Sequence, residues 1–393
     1  MNLFEALMGV AAVLVLVPAT VFFVQVLMAS PAYRPSPAPR GRRPTVCILV
    51  PAHNEADGIA SALRLIVPQL LTGDRLLVVA DNCADETARV ANALGAEVIE
   101  RSDVERRGKG YALDFGIRHL QNNPPEVVIV IDADCSVDVG AIDRLARRCV
   151  ETGRPIQALD LMTAPAAAGL KTRIAEFAWV VKNQVRPLGF QRLGLPCQLM
   201  GTGMAFPWAL LNEVQLGNDN IVEDMKLGID LAVKGFPTLF CHEAMVTSSF
   251  PDGKKAAAIQ RTRWEHGHLH TIQHELPALL WKAARKRDMR LLGLALDLAV
   301  PPLSLLVMLL LAVFICTLAG VVMGLAVWPL LAASIALGLL ITAVLVAWQR
   351  WGRRLVSMAD LLTIPFYVIS KIPLYLKFWT RRQKAWVRTN RNG

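Results

Sequence analysis

Val127-Val128-Ile129-Val130-Ile131-Asp132-Ala133-Asp134 decides how this chain is read. Five β-branched residues in a row suit a strand buried on both faces, as in a parallel sheet. The acids that follow stand at spacing two, so on an extended backbone both carboxylates face the same way. Two carboxylates on one side can hold a hard divalent cation. An isolated Asp-x-Asp suits a solvated strand end or a helix cap equally well, so its neighbours decide.

Working outward, β-rich runs at 46–50, 76–80 and 96–99 alternate with helical patterns at 59–71, 86–94 and 111–121. This alternation predicts an α/β domain with a mostly parallel sheet. Ligands in such sheets bind beyond the carboxyl ends of the strands, where residues 51–55, 81–85 and 132–136 fall. Asp81 ends an apolar run and suits a hydrogen bond from a base edge, whereas Asp85 suits the cap of the helix that starts near Glu86. Pro51, Ala52 and Glu55 form a turn that can cradle a nucleoside, and His53 reads as structural. Gly108-Lys109-Gly110 places an ammonium where phosphate can approach, without the spacing of a Walker loop. Magnesium or manganese held by one or two carboxylates completes its shell with substrate phosphates. The expected ligand is therefore a nucleoside diphosphate. The second half, 157–264, is less regular and contains Gly201-Thr202-Gly203-Met204 and Glu223-Asp224.

The chain has 393 residues, 54% of them hydrophobic, with a mean hydropathy of +0.40. Its apolar residues gather at 7–29, 291–323 and 327–348, each long enough for a membrane span. The first block lacks a basic start and reads as a retained anchor, not a signal peptide. The net charge of +10 comes with Arg34, Arg40, Arg42 and Arg43 after the first block, and Lys282, Arg285, Lys286, Arg287 and Arg290 before the second. Basic residues flanking apolar blocks mark cytoplasmic loops, not a nucleic-acid surface. With Met1 outside, the middle domain is cytoplasmic, and the later hairpin returns the chain there at Arg350, Arg353 and Arg354. The seven cysteines include no C-x-x-C pair, which predicts reduced thiols.

The expected layout is a transmembrane helix over 1–29, a Pro/Arg-rich linker over 30–44, a catalytic domain over 45–275, a basic juxtamembrane segment over 276–290, a transmembrane hairpin over 291–348, and a tail over 349–393. Within the tail, 360–379 is apolar but broken by Pro365 and Pro373, which favours an interfacial or re-entrant amphipathic helix before Arg381, Arg382, Lys384 and Arg388. His266, His270 and His274 share one helix face. A polar helix approaching anionic headgroups accounts for them more simply than a metal site.

In order along the chain, Pro51 to Glu55, Asp81-Asn82, Asp132-Ala133-Asp134, Glu223-Asp224 and Gln260-Arg261-Thr262-Arg263-Trp264, which fits Q-x-x-R-W, resemble the family 2 glycosyltransferases that include cellulose, chitin and hyaluronan synthases. The resemblance covers 45–264 and the flanking apolar segments. It implies a GT-A fold, a divalent metal and a nucleotide-sugar donor, a UDP-sugar before a GDP-sugar. By the same resemblance Asp81 contacts the base, Lys109 the diphosphate, Asp132 the nucleotide and Asp134 the metal, while Asp224 is the general base of an inverting transfer. Gln260 and Arg263 bind the donor diphosphate or line the acceptor site, and Trp264 offers an aromatic platform to a sugar. Gly201, Thr202 and Gly203 match the acceptor-side motif loosely, with Glu223 beside them. The implied enzyme acts at the inner (plasma) membrane on a lipid-linked or saccharide acceptor. A processive synthase working with a partner subunit or as an oligomer is the alternative. A transporter or receptor would have no use for the ordered acids.

Overall fold

The computed structural model describes residues 3–30, 41–211, 214, 216–217, 222–251 and 253–380. The linker arginines Arg34 and Arg40 and the tail cations Arg381, Arg382, Lys384 and Arg388 lie outside the described residues.

The apolar runs form strands β1 (Val46–Ala52), β2 (Arg75–Asp81), β3 (Glu97–Arg101) and β4 (Val127–Val130). They lie side by side and parallel in the order β3-β2-β1-β4. Alternate residues go to opposite faces of the sheet, and both faces are covered. Ile48, Val50, Val78 and Ile129 pack with α2 (Ile59–Ile66) and α5 (Ala141–Thr152). Leu49, Leu77, Val79 and Val128 meet Leu113, Ile117 and Leu120 of α4 (Lys109–Leu120). A Cβ on Gly116 would lie 2.6 Å from Leu49 Cδ1. Glycine there lets α4 lie close on β1. The short helix α3 (Thr87–Ala93) links β2 to β3.

The second half is more regular than its sequence predicts. β6 (Ile156–Thr163), β7 (Met204–Pro207) and β8 (Leu239–Ser249) join the same sheet, and β5 (Ser136–Val137) pairs with the far edge of β8. β7 runs antiparallel to both β4 and β6, and β6 runs parallel to β8. The sheet is thus mixed but mostly parallel, as expected. Helices α8 (Trp208–Leu211) and α9 (Glu223–Val233) and the start of α10 (Lys254–Lys286) complete this unit.

The second compact unit draws on Ala164–Leu195 and the described parts of Met1–Ala32 and His268–Gln383. Among its described residues are three helices long and apolar enough to cross a membrane: α1 (Leu3–Met28), α12 (Leu303–Val322) and α13 (Trp328–Ala347), the last continuing through a π turn to Gly352. The number is as expected; the second boundary is not. The block at 291–323 divides into α11 (Met289–Ala299) and α12, because Pro301 and Pro302 have no N–H to continue the ladder. Asp288 caps α11 by accepting from Arg290 N and Leu291 N. The described residues of the tail include the short helices α14 (Met358–Leu361), α15 (Ile364–Ile369) and α16 (Ile372–Thr380). Pro365 and Pro373 fall in the first turns of the last two, where proline starts a helix readily.

The segment Ala164–Leu195, which lies within the bounds 45–275, belongs to this second unit. It forms α6 (Leu170–Val180), a π turn and α7 (Arg186–Arg192). A Cβ on Gly189 would sit 1.9 Å from the Gln25 carbonyl oxygen, so α7 and α1 meet backbone to backbone. Beside that contact the buried Arg186 donates to Gln25 Oε1 at 3.0 Å and to Asp297 Oδ1 at 2.8 Å. Gln25 Nε2 donates to the same Asp297 oxygen at 2.6 Å.

Candidate active site

The loops after β1 and β2 are tied together through their backbones. His53 Nδ1 donates to Asp81 O at 2.7 Å, Ala84 N to Asn54 Oδ1 at 2.7 Å, Glu55 N to Thr87 Oγ1 at 2.8 Å and Ala56 N to Asp85 Oδ2 at 3.1 Å. Asn54 and Asn82 both adopt positive φ, 53° and 52°, a conformation asparagine tolerates better than most residues. Asp85 stands one residue before the N-cap position of α3, which Glu86 holds, and accepts from Thr87 N at 3.0 Å. Pro51, Ala52 and Glu55 line the same turn at the end of β1, next to Asp81 at the end of β2. Asp81 is buried and paired with Arg101 at 2.6 Å.

Asp132 and Asp134 follow β4, and their carboxylate oxygens lie with Cys135 Sγ inside a 4.8 Å group, the one metal-type cluster among the described residues. Burial first, then the charges of Asp134 and Asp132, hold the Cys135 thiol well above its ordinary pKa. The two carboxylates supply hard oxygen donors, which suit magnesium or manganese.

Lys109 opens α4 from Gly108, whose φ is +131°. A lysine in the first turn opposes the helix dipole, so its charge must be matched elsewhere. Its ammonium donates to Asp132 Oδ1 and, at 2.7 Å, to Gly201 O. Burial alone would lower its pKa, but the Asp132 and Glu223 carboxylates outweigh that and hold it up. Asp132 N donates to Thr202 Oγ1 at 3.1 Å. Gly201 has φ +96°, and a Cβ there would stand 3.4 Å from Asp224 Oδ2 and 3.8 Å from Lys109 Nζ. Glycine thus keeps the space between base candidate and ammonium narrow. Glu223 and Asp224 begin α9, where acids suit the dipole. Burial and the neighbouring Asp224 raise the Glu223 pKa, against the opposing pull of Lys109. Both acids line a pocket with Gly110, Met204 and Leu227.

Gln260, Arg263 and Trp264 lie along α10, with Gln260 buried and the other two half-buried. A Cβ on Gly267 would lie 2.6 Å from Val222 Cγ1, so one side of α10 packs directly on the residue before Glu223. The histidines do not form the headgroup-facing set that their spacing suggests. His266 and His268 are buried, and burial with Lys182 and Arg186 nearby pushes the His268 pKa down to about 3. His270 and His274 face each other edge-on with ring centroids 4.1 Å apart. All seven cysteines are free thiols.

Arg101 and Gln157 carry no motif and are absent from the sequence-predicted site. Arg101 ends β3 as Asp81 ends β2, and position at a strand's carboxyl end is the one signal that marks it. Nothing marks Gln157, which is fully buried in β6, donates to Thr202 O at 2.8 Å and accepts from Met200 N at 2.8 Å.

Residues 44–267 match the Glycosyltransferase like family 2. The probable glycosyltransferase YdaM of Bacillus subtilis is 26% identical over 256 residues, 62% of this chain, and the chain spans 60% of that relative's length. A 4,4'-diaponeurosporenoate glycosyltransferase of Staphylococcus aureus is 36% identical over 90 residues, 22% of this chain and 23% of its own. Among solved structures, the mannosyltransferase PcManGT of Pyrobaculum calidifontis, in complex with GDP-Man and Mn2+, aligns over 97% of this chain and 100% of its own, with a TM-score of 0.56 and 18% identity. The sheet and its helices are therefore of the GT-A type.

Proposed function

The chain belongs to the Glycosyltransferase like family 2, and from that premise we propose that it is an inverting glycosyltransferase. It moves a sugar from a nucleotide-sugar to a lipid-linked or membrane-proximal saccharide acceptor, with its catalytic unit on the cytoplasmic side of the plasma membrane. One observation carries the reading. Asp132, Lys109, Gly201 and Asp224 converge from four separate segments, with Lys109 bonded to Asp132 and Gly201, and Gly201 against Asp224.

Asp81, Pro51, Ala52 and Glu55 would hold the nucleoside. Asp132 and Asp134 would hold a divalent cation and the donor between them. When bound, magnesium or manganese supplies positive charge to a departing diphosphate. Lys109 would add a second positive group there, and Gln260 and Arg263 would bind the diphosphate or line the acceptor site. Asp224 would take the proton of the acceptor hydroxyl as that oxygen attacks the anomeric carbon opposite the diphosphate, so no covalent intermediate is needed. Gly201, Thr202, Gly203, Glu223 and Trp264 would border the acceptor. Three apolar helices in the same chain support an acceptor met at the membrane.

Asp224→Asn tests the assignment. Turnover in native membranes should fall by roughly 100-fold or more while donor affinity stays within about threefold. Unchanged turnover would remove Asp224 from the role of base.

A further inference from the structure

We propose that Arg101 and Asn82 set the base specificity of the donor site by occupying one oxygen of Asp81, so that the other presents a single acceptor matched to the lone N3–H of uracil. The inference rests on the nucleotide-sugar reading above and deepens it.

Asp81 keeps 8% side-chain exposure at the end of β2. Its Oδ1 accepts from Arg101 Nη1 at 2.6 Å and from Asn82 Nδ2 at 3.0 Å. Two donors use the lone pairs of that oxygen. Both donors are fixed from behind. Arg101 Nη2 donates to Asp103 Oδ2 at 3.0 Å, and the guanidinium carbon lies 5.7 Å from the Tyr111 ring centroid. The Asn82 amide oxygen accepts from Asp103 N at 2.8 Å, and Asn82 N donates to Arg101 O at 2.7 Å. That arrangement leaves Nδ2 as the end of the amide turned to Asp81. Among the described residues, none donates to Asp81 Oδ2.

One unoccupied carboxylate oxygen discriminates between bases. Uracil offers one N–H, at N3, between two carbonyls, and thymine shares that edge. Guanine offers N1–H and the N2 amine side by side and needs both oxygens; here the second is saturated, and the amine would approach a guanidinium. Cytosine N3 is a lone pair and would face Oδ2 repulsively. A polar group left facing the wrong partner in a buried site costs far more than a missing apolar contact.

The test is calorimetric titration of the detergent-purified full chain with UDP, CDP and GDP in the presence of manganese chloride. UDP should bind at least about tenfold tighter than either of the others. In Asp81→Asn the donors from Arg101 and Asn82 retain the side-chain oxygen, so the new amide N–H takes the place of Oδ2 and matches cytosine N3. The CDP-to-UDP affinity ratio should then rise by about 100-fold. Arg101→Leu opens one of the two acceptor positions on Oδ1, the Asn82 bond keeping the other, and removes the guanidinium that the guanine amine would meet, so it should narrow the UDP preference over GDP to below about threefold. A merely structural defect would weaken all three nucleotides by one factor, and that outcome in both variants overturns the proposal. Equal affinity of the wild-type chain for GDP or CDP and UDP overturns it too while leaving the nucleotide-sugar reading intact. Failure to bind any of the three removes that reading and the inference with it.

Discussion

Replacing Thr202 by valine removes the hydroxyl that meets the Asp132 turn. Thr202 is 5% exposed, and its hydroxyl accepts the Asp132 N–H at 3.1 Å. Valine has nearly the same shape, so the change opens no cavity and removes the hydroxyl alone, with its bond to the Asp132 N–H and its contact with the Cys135 side chain. A buried N–H left without a partner costs about 1–3 kcal/mol. For a unit of this size each kcal/mol shifts the melting temperature by about 2–4 °C, so a fall of roughly 2–12 °C is expected. Asp132 begins the turn that carries Asp134, so a displaced Asp132 amide should also weaken UDP binding, by about tenfold. Thr202→Ser keeps the oxygen and should stay near wild type in both respects. The measurements are a thermal scan of the full chain in detergent and UDP titration with manganese. Valine matching wild type in both would refute the hydrogen-bond account. Serine failing as badly as valine would assign the effect to methyl packing instead.

Two further changes read other parts of the molecule. Burial and Asp224 raise the Glu223 pKa above its ordinary 4.5, so the folded chain holds that proton more tightly than the unfolded one. The stability Glu223 contributes is therefore complete below pH 4.5 and declines as pH rises through the raised value. Glu223→Gln should match wild type in melting temperature at pH 4 and exceed it increasingly toward pH 8; a difference independent of pH would contradict this. In the other unit, Asp297→Ala leaves the buried Arg186 guanidinium without its counter-charge and should cost about 3–5 kcal/mol in chemical unfolding. Replacing the pair with Arg186→Met and Asp297→Leu should recover much of that loss, and a double variant as unstable as the single one would count against the account.

Some of this molecule is legible in its sequence for physical reasons. β1, β2 and β4 are buried on both faces, so each is a continuous apolar run, and each ends where a polar turn must meet solvent or ligand. That is why Pro51, Asp81 and Asp132 stand out. The antiparallel half offers no such signal: β7 has four residues, and β6 mixes Gln157 and Asp160 into its apolar residues because both are buried polar groups. The bounds 45–275 alone put 186–192 in the catalytic domain, yet what seats α7 against α1 is Gly189 and the Arg186 pair with Asp297, contacts between residues more than a hundred positions apart. Pro301-Pro302 does mark a break in the sequence; the apolar character of both sides hides it when length alone defines a span.

The antiparallel step also joins the two halves of the site. Val130 pairs with Met204, so the turn holding Gly201, Thr202 and Gly203 lies opposite the start of the Asp132 turn. Gly203 has φ +64°, and its carbonyl accepts from Ala158 N at 2.8 Å; a Cβ on it would lie 2.7 Å from Ala158 Cβ. Gln157 fastens the same turn through Thr202 O and Met200 N. The turn is thus fixed to β6 on one side, while on the other its Gly201 carbonyl holds Lys109 and its Thr202 hydroxyl holds Asp132. Any shift of β6 would move the ammonium and the first carboxylate together and preserve their spacing. Holding charged groups in one rigid frame is what lowers the reorganisation needed when charge develops on a leaving group. Gln157, remote from any motif, belongs to that frame as firmly as the residues it positions.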